Sequence, residues 1–225
     1  MMKQKLVVIS FDAMVYEDLA ILSSFPCFSK FIKQGAMVKR IRSVYPSLTY
    51  PCHATMRTGC WPETHGVINN THMEPGDADP RWLWFNSALR CPDLFDACKS
   101  AGMTTAAVGW PSTGRHRGVD YLVDEIAHTR AKTLDAFRDD YLQTGTSPQL
   151  MEEVLETLLP LRVQKRSLNA EAACAIIRKY QPDLTMLHVA GLDASRHKHG
   201  VFSNRHAAAY AECERTLQSL SLIHI

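Results

Sequence analysis

The sequence predicts an α/β fold in which helices sandwich a mostly parallel sheet, and three observations carry that reading. The runs "KLVVISF" at 5–11, "TTAAVGW" at 104–110 and "LTMLHVAGL" at 184–192 are apolar and do not alternate, as suits strands buried on both faces. Segments with helical stop and start signals lie between them. A length of 225 residues at 46% hydrophobic content supports a sizeable core, so 1–225 is read as a single α/β domain.

Taken in order, the first strand ends at Asp12. Pro26 opens a helix that runs to Gln34, with Gly35 at the C′ position, and "AMVKRIRSV" at 36–44 reads as a second, more exposed strand. Pro51 suits the first turn of a helix continuing through His53 to Thr58 and ending at Gly59, which leaves Thr49 just before it. Thr71 to Arg90 reads as a long irregular loop whose Trp82, Trp84 and Phe85 either stack on a ligand or pack beneath the loop. Pro92 to Ser100 is the next helix, stopped by Gly102 before the strand at 104–110. Residues 130–168 read as two polar helices, a helical insertion or cap, the second opened by Ser147-Pro148 with Leu150, Val154 and Leu158 along one face. A helix from Asn169 to Tyr180 halts before Pro182 and leads into the strand that ends at Asp193, and Asn204 caps a last helix.

The charge and cysteine patterns exclude several classes. A net charge of +2 spread along the chain gives no concentrated basic stripe, so no nucleic-acid groove is expected. No window is long and apolar enough for a membrane span. The apolar run Leu6 to Phe11 is too short for a signal-peptide core, and the seven cysteines contain no CxxC pair. A cytoplasmic protein with reduced thiols is the expectation.

In open α/β sheets, ligands sit outside the carboxyl ends of strands, the position that Asp12 and Asp193 both take. Either one alone reads equally well as a helix N-cap; the two together point to a shared site. His197 follows Asp193 by four residues, which on a helix puts both on one face at a spacing suited to one metal ion. His188, inside the last strand, reads as a satisfied buried histidine, and His53 and His65 as braces of their loop. Thr49 lies where free N–H groups and the positive end of a helix favour negative charge, so an ionised hydroxyl or an incoming phosphate would gain there. The plain alternative is that Thr49 or Ser47 caps the helix.

The stretches "VVISFDA", "PSLTYPCHATMRTGCWPETHGVINN", "CPDLFDACKSAGMTTAAVGWPSTG" and "LDASRHKHGVFS" occur in that order and span nearly the whole chain. In them the sequence resembles the nucleotide pyrophosphatase/phosphodiesterase family of the alkaline phosphatase superfamily, in its bacterial cytosolic form. The resemblance implies an alkaline phosphatase-like catalytic domain, two divalent metal ions, most commonly zinc, and a small phosphate-ester substrate such as a nucleotide. It makes Thr49 the nucleophile that forms a phospho-threonine intermediate. Asp12 and Thr49 match ligands of one metal, Asp193 and His197 ligands of the other, and Asn70 the amide that holds a non-bridging phosphate oxygen.

Ala13 and Arg196 stand where the family commonly has glycine, and Cys52 where many nucleotide-cleaving members have asparagine. The family completes its metal sites with an Asp-His-Gly motif and a further histidine that these 225 residues do not contain. The chain therefore reads as a C-terminally truncated member, impaired as it stands. The alternatives are a phosphonate, phosphomonoester or sulfate-ester hydrolase of the same superfamily, or a non-catalytic α/β module.

Overall fold

A computed structural model describes residues 4–126, 130–164 and 166–223. Lys165, within the expected insertion, and the terminal His224 and Ile225 lie outside them. Among the described residues the strands are β1 (Leu6–Phe11), β2 (Thr105–Val108), β3 (Tyr121–Val123) and β4 (Leu184–Val189). They form one parallel sheet in the order β1-β4-β2-β3. The principal helices are α1 (Pro26–Gln34), α2 (Thr49–Thr58), α3 (Leu94–Ser100), α4 (Leu134–Thr144), α5 (Asn169–Tyr180), α6 (Gly191–His199) and α7 (Ala207–Ser221).

The apolar runs fail to alternate because both faces of the sheet are covered. Ala106, Val108, Leu187 and Val189 enter one core with Ala172, Ala173, Ile176 and Ile177 of α5. Their neighbours Ala107, Leu184 and Met186 point the other way, against Phe95 and Cys98 of α3 and against Trp110. Trp110 is fully buried, and each large apolar side chain so removed from water contributes about 1.5–3 kcal/mol. Phe137 and Tyr141 of α4, with Leu150, Met151, Val154, Leu155 and Leu159, join the same core as α5. The second helical stretch of 130–168 is not one regular helix: Pro148–Leu150 passes into a π segment at Met151–Leu155, and a separate turn forms at Leu159–Val163 around Pro160.

The expected strand at 36–44 does not form. Val38 and Ile41 are 74% and 82% exposed there. A strand needs a ladder, and 36–44 joins none: the outer edge of β1 stays unpaired among the described residues, so apolar and β-branched composition alone does not make 36–44 a strand. Gly35 ends α1 in an extended conformation, φ −91°, rather than left-handed, and its N–H bonds the Phe31 carbonyl. Two helix starts also shift. α3 begins at Leu94, not at Pro92, with Asp93 as its cap accepting from the N–H groups of Phe95 and Asp96, and Ser203, not Asn204, caps the turn that leads into α7. Gly59 ends α2 in the left-handed region at φ 68°, as the sequence predicts.

Candidate functional site

Parallel pairing of β1 with β4 puts their carboxyl ends side by side, with Phe11 opposite Val189. The Asp12 N–H continues the ladder to the Val189 carbonyl at 3.0 Å, and Met14 N–H closes a turn onto the Phe11 carbonyl at 3.3 Å. Ala13, inside that turn, is left-handed at φ 59°, a conformation that costs a residue with a Cβ about 1–2 kcal/mol. Asp12 caps no helix. Its carboxylate instead stands at the sheet edge.

Thr49 is the first residue of α2, and the N-cap is Leu48, whose side chain accepts no hydrogen bond. The capping alternative for Thr49 and Ser47 therefore falls away. Thr49 Oγ1 donates to Asp12 Oδ2 at 3.2 Å, across the gap between α2 and β1. Asn70 Oδ1 accepts from the Tyr50 N–H at 2.9 Å, satisfying one of the donors that the start of α2 leaves open. Tyr50 is fully buried, and its hydroxyl donates to Glu125 Oε2 at 2.6 Å, which anchors the helix start.

Two buried histidines hold this corner. His53 Nδ1 lies 2.7 Å from the Thr49 carbonyl, which can only accept, so Nδ1 carries the proton and Nε2 accepts from Ser10 Oγ at 2.9 Å. Burial, reinforced by the charge of His188, lowers the His53 pKa to about 4. His188 Nδ1 meets the Gly109 carbonyl at 3.0 Å, and its Nε2 lies 3.3 Å from Asp12 Oδ2. Gly109 has to be glycine: at φ 62° a Cβ would come within 2.1 Å of Asn169 Nδ2, which donates to the His188 carbonyl. His188 is thus the satisfied buried histidine that the sequence suggests, and it also touches the candidate ligand Asp12, a contact that only strand pairing reveals. His65 accepts from the Val67 N–H and meets Thr55 Oγ1, bracing its loop.

Burial raises the Asp12 carboxyl, but the hydrogen bond and charge of His188, the charge of His53 and the Thr49 hydroxyl outweigh it, and its pKa lies below the ordinary value. Asp193 shifts the opposite way, raised first by burial and then by the charge of Asp12. The two carboxylates therefore feel one another. Asp193 is not the end of a strand: β4 stops at Val189, short of the expected 184–192, and Asp193 lies in the first turn of α6. His197, one turn on, brings Nε2 to 3.4 Å from Asp193 Oδ1 and has an 81% exposed side chain. Carboxylates, a hydroxyl and an open imidazole are of the chemical type that suits divalent cations, although among the described residues the ligand atoms of Asp12, Asp193 and His197 do not gather within 4.8 Å of one another.

A second cluster of ligand-type residues is already committed. Ligand atoms of Asp93, Asp96 and His116 lie within 4.8 Å of one another. Asp93 Oδ1 caps α3, while Oδ2 meets Arg57 Nε at 2.8 Å and His116 Nε2 at 3.1 Å. The Asp96 carboxylate accepts in return from the Asp93 N–H. With the buried Arg57 guanidinium supplying the charge, this group fits a capping box with an ion pair and does not fit a metal.

Trp82 packs on Tyr50, ring centres 5.4 Å apart, and Leu83 N–H bonds the Asn70 carbonyl at 2.9 Å. With Trp84 and Phe85 it also lines a cavity of about 830 Å³, so the aromatic cluster both packs under its loop and faces open space. No helix among the described residues is long and apolar enough to cross a membrane.

The model of the type I phosphodiesterase / nucleotide pyrophosphatase family matches residues 6–221. The bis(5'-adenosyl)-triphosphatase of Homo sapiens is 30% identical over 118 residues, covering 48% of this chain and 25% of the relative. Ectonucleotide pyrophosphatase/phosphodiesterase family member 1 of Homo sapiens is 25% identical over 190 residues, covering 80% of this chain and 17% of the relative. Murine ectonucleotide pyrophosphatase/phosphodiesterase 5, solved as an inactive variant with AMP, superposes at a TM-score of 0.65 and 18% identity, covering 96% of this chain and 51% of its own. Phosphonoacetate hydrolase from Sinorhizobium meliloti superposes at 0.63 and 20% identity, covering 97% of this chain and 53% of its own. The chain thus spans about half the length of these solved structures, and its relatives are hydrolases. With a match across nearly all of its residues, this chain belongs to the type I phosphodiesterase / nucleotide pyrophosphatase family.

Proposed function

We propose that the chain carries the nucleophile and two ligand pairs of a metal-dependent phosphodiesterase or nucleotide pyrophosphatase acting on small phosphate esters or anhydrides. The observation that carries this is the Thr49 hydroxyl, 3.2 Å from Asp12 at the open start of α2 and free of any capping duty. Asp12 with Thr49, and Asp193 with His197, would hold two divalent ions, most suitably zinc. Such ions supply charge neutralisation and a lowered hydroxyl pKa.

The residues divide the remaining work. Thr49 Oγ1 attacks phosphorus in line, its proton passing toward Asp12 Oδ2; the Oγ1–P bond forms and the bond to the leaving oxygen breaks, which takes a proton from solvent. Water then attacks the phospho-threonine, releasing a phosphomonoester and restoring the hydroxyl. His188 and His53 hold Asp12 and the Thr49 backbone in place. Asn70, its oxygen committed to Tyr50, would meet a non-bridging oxygen with its Nδ2 donors.

Each ion would have two protein ligands here, against the roughly three of most catalytic zinc sites, so weak metal binding and slow turnover are expected of the chain by itself. The test is rapid quenching with bis-p-nitrophenyl phosphate followed by mass spectrometry. A phosphorylated Thr49 supports the reading. Strong preference for p-nitrophenyl phosphate, p-nitrophenyl sulfate or phosphonoacetate would move the chain to another reaction of the superfamily, and no reaction with any of them would leave a non-catalytic module.

A further inference from the structure

Arg196 sits on α6 between Asp193 and His197 and is buried, with 6% of its surface exposed. One nitrogen of its guanidinium, Nη1, donates to the carbonyl of Ala13, the left-handed residue directly after Asp12. The other, Nη2, meets Asp18 Oδ1 at 2.6 Å. Asp18 is itself pinned: the Tyr210 hydroxyl of α7 donates to Oδ1 at 2.8 Å, and the Val15 N–H donates to Oδ2 at 2.8 Å. A planar fork thus bridges two acceptors on the turn after β1 from the helix that carries the other ligand pair. Leu192 of α6 also packs in one apolar cluster with Phe11 and Met14, and Arg196 adds the directional, hydrogen-bonded link between the two pieces.

We propose that Arg196 is a positioning residue that sets the separation between Asp12 and the Asp193–His197 pair, and so governs divalent-ion binding between them. This rests on the metal-binding reading above. The clamp also accounts for an alanine at Ala13: the guanidinium holds the carbonyl of a backbone conformation that only glycine adopts freely. The strain and the clamp should therefore be energetically linked.

The test is calorimetric titration of the full chain with Zn²⁺, alongside thermal melting without metal, for Arg196→Met, Arg196→Lys, Ala13→Gly and the Arg196→Met/Ala13→Gly pair. Loss of a group that orients a ligand weakens metal affinity about 10–100-fold, and that loss is expected for Arg196→Met. Arg196→Lys, which keeps the charge but lacks the fork, should fall between Arg196→Met and the parent and serves if Arg196→Met fails to fold. Adding Ala13→Gly should recover a measurable part of the affinity, and Ala13→Gly by itself should leave it within about twofold, the backbone now reaching φ 59° unaided. Zn²⁺ affinity unchanged in both Arg196 variants while melting drops would reduce Arg196 to a structural role and overturn the inference alone. A parent chain that binds no Zn²⁺, with Asp12→Asn indistinguishable from it, would overturn the functional reading and this inference with it.

Discussion

Thr49 and Asp12 lie 37 residues apart in the chain, yet the hydroxyl of one donates to the carboxylate of the other at 3.2 Å. That contact exists because β1 ends where α2 begins, and because the capping of α2 falls to Asn70 and not to Thr49, whose hydroxyl is left for Asp12. Thr49→Ala removes the attacking oxygen and one of the two ligands proposed for the ion at Asp12. Diester turnover is expected to fall at least about 10³-fold, with melting temperature in the absence of metal near that of the parent and Zn²⁺ affinity lowered at that site. Turnover within tenfold of the parent would remove Thr49 from the nucleophile's place.

Asn70 has two separable duties. Its oxygen holds the Tyr50 N–H, and the proposed phosphate contact uses its nitrogen. Asn70→Asp keeps the acceptor and discards the donor, so melting should hold while kcat drops about 10²-fold, as for loss of one oxyanion donor. Asn70→Ala loses both and should cost about 1 kcal/mol of stability as well. Equal kcat in Asn70→Asp and the parent would leave only the structural duty.

His53 predicts an acid-sensitive fold in the metal-free protein. Its pKa is lowered from the ordinary 6.5 to about 4, because the buried ring resists charging while the unfolded chain's histidine does not. Stability is fully present above 6.5 and is lost as pH falls toward about 4, by about 3 kcal/mol over the whole interval. Urea midpoints measured across that range should show the decline. His53→Gln should flatten it, and an equally steep decline in that variant would place the titration elsewhere.

Asp93 should behave as structure and not as a ligand. Asp93→Ala uncaps α3 and strands the buried Arg57 charge, a combination expected to cost about 3–5 kcal/mol. A chelator should leave melting of the parent unchanged in this region. Zn²⁺ stoichiometry should be the same in the parent and in Asp93→Asn; a stoichiometry lower by one ion would make the cluster a metal site.

The legible parts of this protein are those set by local chemistry. β1, β2 and β4 can be read directly because strands covered on both faces carry unbroken apolar runs, and α2 because Pro51 marks its first turn and Gly59 its end. The segment 36–44 misleads for the converse reason: its apolar, β-branched pattern describes a side-chain preference, whereas a strand is a relationship with a partner, and 36–44 joins no strand of the described sheet. The start of α6 is similarly hidden, since Ala190 to Leu192 are as apolar as the strand before them and only the turn of the backbone separates the two.

By itself the sequence determined which side chains have the right chemistry: two carboxylates beside apolar runs, a hydroxyl at a helix start, a histidine one helical turn from an aspartate. Tertiary structure decided what each of them touches. The contacts of His188 with Asp12 and of Arg196 with Ala13 span 176 and 183 residues, and no local pattern encodes them. They arise because parallel pairing of β1 with β4 forces the two carboxyl ends together, and a ladder of backbone hydrogen bonds is indifferent to how far apart in the chain its strands lie.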